Sequence, residues 1–217
     1  GLKGTLWQQY LGYLKRVFIT FDFGPSLSGY PTPVTWFIRQ SLPWTLGLLS
    51  VSTAISWTLG NLIGLVAGFY HNRRFASIAE TIGVLIYPIP YYIFALALII
   101  LLAFVIPIFP LSTTIMPGPI TLRKIGEIVY NSVLPALALV LAGFGWNILG
   151  MKALSYAAKE ESYVVYARLK GVPGRRIMTD YVGRNGILPQ VTSLALSLGS
   201  VFSGAMITEM LFSYPGM

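Results

Sequence analysis

The chain has 217 residues, no cysteine, a hydrophobic fraction of 55% and only 10% Asp, Glu, Lys and Arg, against about 25% in ordinary soluble domains. Its formal charge is +8. That much apolar mass with so little charge excludes a disordered chain, a disulfide scaffold, a cysteine-ligated metal site and a self-sufficient soluble domain, and leaves a membrane protein.

In chain order, Asp, Glu, Lys and Arg are missing from Gln40 to Asn72, from Thr81 to Leu122, from Ile128 to Met151 and from Asn185 to Thr208. Roughly 20 apolar residues carry a helix across the hydrocarbon core, so four spans are expected. Stretches such as Leu96–Leu102 do not alternate apolar with polar residues, which excludes barrel strands. The fold class is therefore all-α: a polytopic membrane protein with about four transmembrane helices.

The chain opens at Gly1 and stops at Met217, just after a Tyr-Pro-Gly turn, and so reads as a piece of a longer membrane protein. Residues 1–40 form a segment outside the first span. Within that span Gly60, Gly64 and Gly68 recur every four residues, a spacing that lets two helix backbones approach closely, whether in a moving core or in ordinary packing. His71, the single histidine, lies in a basic loop and reads as solvated.

The second span is expected at about 81–106, followed by an irregular loop that holds Pro107, Pro110, Pro117 and Pro119. Its cytoplasmic third contains Tyr87, Pro88, Pro90, Tyr91 and Tyr92. The prolines predict a kink. The tyrosines fit either a path for a polar substrate or an interfacial aromatic belt. Pro135 and Pro189 read as lying near the starts of the third and fourth spans, where proline costs little.

The loop 152–185 is the most charged part of the chain. A helix is expected from Lys152 to Lys170, a stop at Gly171 and Pro173, and a short second helix from Arg175 to Val182. Residues 70–80 and 152–185 together hold nine of the fifteen Lys and Arg, which places them in the cytoplasm and residues 1–40, about 107–130 and 209–217 outside. Topology thus accounts for most of the +8, and no nucleic-acid partner is needed. No ionisable residue stands in the middle of a span, which speaks against a proton- or sodium-coupled carrier. No nucleophile elbow, phosphate-binding loop or metal-ligand set is visible.

Several segments carry a family resemblance. Residues 163–171 read Tyr-Val-Val-Tyr-Ala-Arg-Leu-Lys-Gly, followed by Arg175-Arg176, Arg184-Asn185 and Leu188-Pro189. This resembles the cytoplasmic EAA loop of ABC-importer permeases, in particular the first permease subunit of the oligopeptide/dipeptide/nickel family. Asp22-Phe23-Gly24 with Ser26, Leu134-Pro135-Ala136-Leu137, and Glu209 through Phe212-Ser213-Tyr214-Pro215-Gly216 resemble further segments of that family in the right order. Ser162 stands where the family usually has an acid, Ile187 where it has Leu and Tyr214 where it has Trp.

The resemblance implies a single permease domain over 1–217, four core helices of a six-helix subunit, multi-pass in a prokaryotic inner membrane. It implies an EAA-type coupling loop at 152–185, with Tyr163, Ala167, Arg168, Lys170, Gly171 and Arg175 contacting an ATPase. The partners implied are a second homologous permease subunit, cytoplasmic ATPase subunits, an extracytoplasmic solute-binding protein and the bilayer. The chain would bind no cofactor itself, ATP being used by the ATPase. Peptide or oligosaccharide is favoured over nickel, since no metal ligands line the spans. The alternatives are an uncoupled channel or secondary carrier, weakened by the absence of a repeated pore motif and of intramembrane charge, and an intramembrane enzyme, weakened by the absence of a catalytic constellation.

Overall fold

The computed structural model describes residues 4–27, 29–113, 115, 119 and 121–216, with the side chains of 198–205 outside that description. Pro117 of the expected irregular loop and Met217 lie outside the described residues.

The described chain is helical, with one isolated antiparallel bridge, Pro25 to Pro33, in place of strands. Helix α1 is Leu6–Ile19, α2 Val34–Phe69, α3 Arg74–Ile86 and α4 Tyr91–Ile99, which continues as a π-wound turn Ile100–Val105. Helix α5 is Leu122–Ala158, α6 Ser162–Leu169, α7 Gly174–Arg176 and α8 Arg184–Phe212, with a π-wound stretch Ile177–Gly183 between the last two.

Two helices, α2 with 36 residues and α5 with 37, are each long and apolar enough to cross a membrane. At 1.5 Å per residue each measures roughly 55 Å, well beyond a hydrocarbon core of about 30 Å. Both therefore project into water. Val34–Gln40 already belongs to α2, so the last residues of 1–40 are helical.

The second expected span is not one rod. The α3 and α4 segments meet at 96°. Pro88 and Pro90 withhold two backbone N–H groups, and Pro90 is extended at ψ 140°, which ends one helix and starts another. The pair is one broken span or a re-entrant element, so the described residues give two spans, or three with this pair, by length and composition. Helix α8, 29 residues long, has the length of a further span.

The pillars α2 and α5 run parallel in a constant register. A methyl built on Gly60 would stand 2.5 Å from Asn147 Cβ, one on Gly64 2.5 Å from the Ile148 carbonyl oxygen, and one on Gly68 2.4 Å from that of Lys152. The glycine stripe is thus a backbone-to-backbone seam. On another face of α5, a methyl on Gly145 would meet the Gly83 carbonyl oxygen of α3 at 2.8 Å. Ala67, Ala76, Ala79 and Ile148 form the small-residue core that this three-helix approach requires.

Pro135 lies in the interior of α5 and is fully buried, rather than near a helix start. Pro189 is likewise interior, because α7, the π-wound stretch and α8 form one unbroken helical run from Gly174 to Phe212. The expected separate helix over Arg175–Val182 is the first part of that run. Nor does one helix extend from Lys152 to Lys170. Helix α5 stops at Ala158, its last carbonyls are taken by three successive tight-turn N–H groups of Lys159, Glu160 and Glu161, and α6 restarts in a new direction. Tertiary packing overrides helix propensity there.

Candidate functional site

At the basic end of the bundle, α6 folds back on the chain and closes a small core of Phe69, Val164, Ala167, Ile177 and Val182. Leu65, Ala158, Val172, Met178 and Tyr181 pack around it. The end of α2, the turn after α5, α6 and the start of the long α7–α8 run are thereby fixed as one platform. Burying Val164 and Ala167 in this core turns α6 away from α5, while its other apolar residues, Val165 and Leu169 among them, stay exposed.

The turn after α6 is a Schellman cap. The Val172 N–H donates to the Ala167 carbonyl at 3.1 Å and the Gly171 N–H to that of Arg168 at 2.9 Å. Gly171 has φ +74° with nothing within 4 Å of a would-be Cβ, so its requirement for glycine is one of backbone conformation alone. Glu161, one residue before Ser162, occupies the N-cap of α6, so negative charge still sits at the helix start.

The six residues expected to face an ATPase divide in two. Tyr163, Arg168, Lys170 and Arg175 are exposed. Ala167 is only 3% exposed, and its methyl fills the platform core beneath that surface. Gly171 shapes the turn. Two residues absent from the sequence expectation join the exposed face: Tyr166 at 59% and Leu169 at 81%. Lys170 Nζ lies 4.5 Å from the centre of the Tyr166 ring, which holds a cation above an aromatic face in the open.

His71 is half-buried, not merely solvated. Its Nδ1 receives a hydrogen bond from Lys159 Nζ at 2.9 Å, and its ring packs edge-on against Tyr156 at 4.8 Å. Lys159 also stands 5.7 Å from the Phe69 ring centre. Desolvation, then the nearby Arg168 charge, lowers the Lys159 pKa from its ordinary value. A second tie, Lys152 to Glu80 at 2.6 Å, joins α5 to α3.

Above the platform lies a half-open recess of about 490 Å³ between α2, α4, α5 and α8. Its walls combine apolar residues with Thr53, Ser56, Asn147, Ser193 and Ser197, and with the indoles of Trp57 and Trp146. Asn147 Nδ2 donates to the Gly143 carbonyl at 2.9 Å and approaches Ser56 Oγ at 3.4 Å. Trp57 Nε1 donates to the Gln190 carbonyl at 3.3 Å, and Trp146 Nε1 to Ser193 Oγ at 3.5 Å. These are neutral donors and acceptors set in a largely apolar wall.

Of the four residues expected on a path, Tyr91 lines this recess. Tyr87 does not, but it stacks on the lining Trp146 at 5.6 Å. Pro88 and Pro90 make the bend that brings Tyr91 there and are themselves outside it. The hydroxyls, Asn147 and the two indoles do not stand out in the sequence, because each alone reads as an ordinary membrane-helix residue. Polar residues recurring at helical spacing, Thr53 with Ser56 and Ser193 with Ser197, were the signal available.

Residues 60–217, well over half of the chain, match the family of binding-protein-dependent transport system inner membrane components. The chain belongs to that family. It is 27% identical to the dipeptide transport system permease protein DppB of Bacillus subtilis over 96% of this chain and 64% of that protein. It is 30% identical to the inner membrane ABC transporter permease protein YejB of Escherichia coli O157:H7 over 92% of this chain and 56% of that protein. The oligopeptide transport system permease protein AppB of B. subtilis is 28% identical over the whole of this chain and 68% of its own length. The chain thus spans about three fifths of the length of the first two relatives. Together with the apolar pillars α2 and α5, the match makes this a membrane chain of a transport family.

Proposed function

We propose that this chain supplies the membrane path of an ABC importer for peptides, with oligosaccharides as the next class. The path is fed by an extracytoplasmic binding protein, is shared with a second permease subunit and is driven by a separate ATPase. The observation that carries the reading is a single continuous one. An exposed basic and aromatic platform, Tyr163, Tyr166, Arg168, Lys170 and Arg175, is packed on a core that includes Ile177 and Val182 of the helical run continuing into α8, and α8 adds Ser193 and Ser197 to a largely apolar recess. Exposed cations and tyrosines around an apolar centre are what a docking surface for an acidic groove requires. The recess offers amide and hydroxyl groups to a peptide backbone. The names of the dipeptide and oligopeptide permease relatives favour the same substrate class.

The test is reconstitution of the full chain with its transporter subunits in proteoliposomes. The expected result is ATP-dependent uptake of a labelled di- or oligopeptide, lost together with ATPase association when residues 163–175 are scrambled. Association of the ATPase that is indifferent to that scrambling would refute the platform's role. Uptake that continues without ATP would favour a channel or carrier.

A further inference from the structure

Helix α1 takes no part in the bundle: none of its residues is buried, and it has no extensive packing against another helix. Its sequence is nevertheless strongly two-faced. At 100° per residue, Tyr13, Leu6, Val17, Tyr10, Leu14, Trp7, Phe18 and Leu11 fall within an arc of about 160°. Gln8, Gln9, Gly12, Lys15 and Arg16 occupy the opposite side, with Ile19 the one apolar residue among them. The apolar face stands open, with Leu6 86%, Trp7 68% and Phe18 72% exposed.

The helix is nonetheless a well-formed one. Thr5 and Gln8 make a reciprocal capping box at its start, and Arg16 pairs with Asp22 at 2.7 Å just past its end. Its tether is short. Gly24 is already hydrogen-bonded through its carbonyl to the N–H of Val34, the first residue of α2, at 3.0 Å. Only residues 20–23 separate α1 from that anchored point, a reach of at most roughly 18 Å. The first turns of α2 carry Trp36, Phe37 and Arg39, residues characteristic of a membrane–water boundary. In the segment between α1 and α2, Phe21, Leu27 and Tyr30 are exposed as well.

We propose that α1 is an interfacial helix whose apolar face lies in the phospholipid surface beside the entry to α2. Three observations select lipid as the occupant. The helix is held within a headgroup's reach of a span. Its apolar face is rich in Trp, Tyr and Phe, which favour the interface. Its charged residues are cations, with no acid between Leu6 and Ile19. In this position α1 fixes the depth at which α2 enters the bilayer.

The absence of native cysteine allows a direct test. Single cysteines at Leu11, Phe18, Gln8 and Gly12 are spin-labelled in the full chain in phosphatidylcholine/phosphatidylglycerol vesicles. Collision with oxygen is then compared with collision with a water-soluble nickel chelate. Labels at 11 and 18 should favour oxygen over the chelate several-fold relative to labels at 8 and 12, with no other protein present. Equal accessibility at the four positions overturns the proposal. So does protection of 11 and 18 that appears only when the transporter's solute-binding protein is added, because the face would then belong to a protein partner.

Discussion

Gly64 lies so close to Ile148 that a methyl group on it would stand 2.5 Å from the Ile148 carbonyl oxygen. That oxygen belongs to a helix backbone and cannot rotate away, so α2 and α5 would have to separate. Gly64→Ala is expected to cost about 1–3 kcal/mol, the usual range for overpacking. Gly47→Ala, on the same helix with nothing within 4 Å, is expected to be neutral or slightly stabilising. Thermal melting of the two variants in detergent reads the difference. Equal melting temperatures would show that the seam tolerates separation.

Gly171 has no steric neighbour, so Gly171→Val acts through the left-handed backbone alone, at roughly 1–2 kcal/mol. Asn tolerates that conformation better than other non-glycine residues. Uptake per ATP hydrolysed is therefore expected to fall in Gly171→Val and to recover substantially in Gly171→Asn, with the bundle's melting temperature little changed. A wild-type ratio in the valine variant would remove the turn from the coupling path.

The platform core and the platform surface should separate experimentally. Ala167→Leu inserts three carbons among Val164, Ile177 and Val182 and is expected to destabilise the platform by about 1–3 kcal/mol. Leu169→Ala and Tyr166→Ala remove exposed groups, so stability should hold. ATPase association in those variants should fall about tenfold or more if either residue anchors the interface. Detergent melts and pull-down affinity give the two readouts.

Asp22 offers a pH test near α1. The Arg16 guanidinium, and then the Gly24 N–H, hold its carboxyl below the ordinary 3.8. A carboxyl depressed in the folded state stabilises that state above the unfolded value. The contribution is lost as pH falls through the lower, folded value. Carboxyl carbon shifts in an isotope-labelled sample should titrate below 3.8, and Arg16→Gln should move the midpoint upward.

Much of the architecture could be read from residues. The missing charges located the apolar pillars, the four-residue glycine spacing announced the α2–α5 seam, and Gly171 with its flanking residues marked the cap. What escaped has a common physical cause: it depends on contacts distant in sequence. Ser56 and Asn147 meet across 91 positions, and neither alone announces a cavity. The break after Ala158 follows from the need of Val164 and Ala167 to reach Phe69 and Val182, which local propensity does not encode. Pro88 and Pro90 predicted a bend but not one of 96°, and the close seating of Gly83 and Tyr87 on Gly145 is a contact distant in sequence.

The unbroken run from Gly174 to Phe212 also sets a rotational phase between the two ends of the chain's longest lever. Platform residues at its start and recess residues such as Ser193 are fixed in azimuth as teeth on one shaft. A single residue added or removed within Ile177–Gly183 would turn everything beyond it by about 100° and shift it by about 1.5 Å. The recess would then present a different wall to its solute while every residue of both ends remained unchanged. Length in that stretch is therefore as much a part of the machine as the identity of any side chain in it.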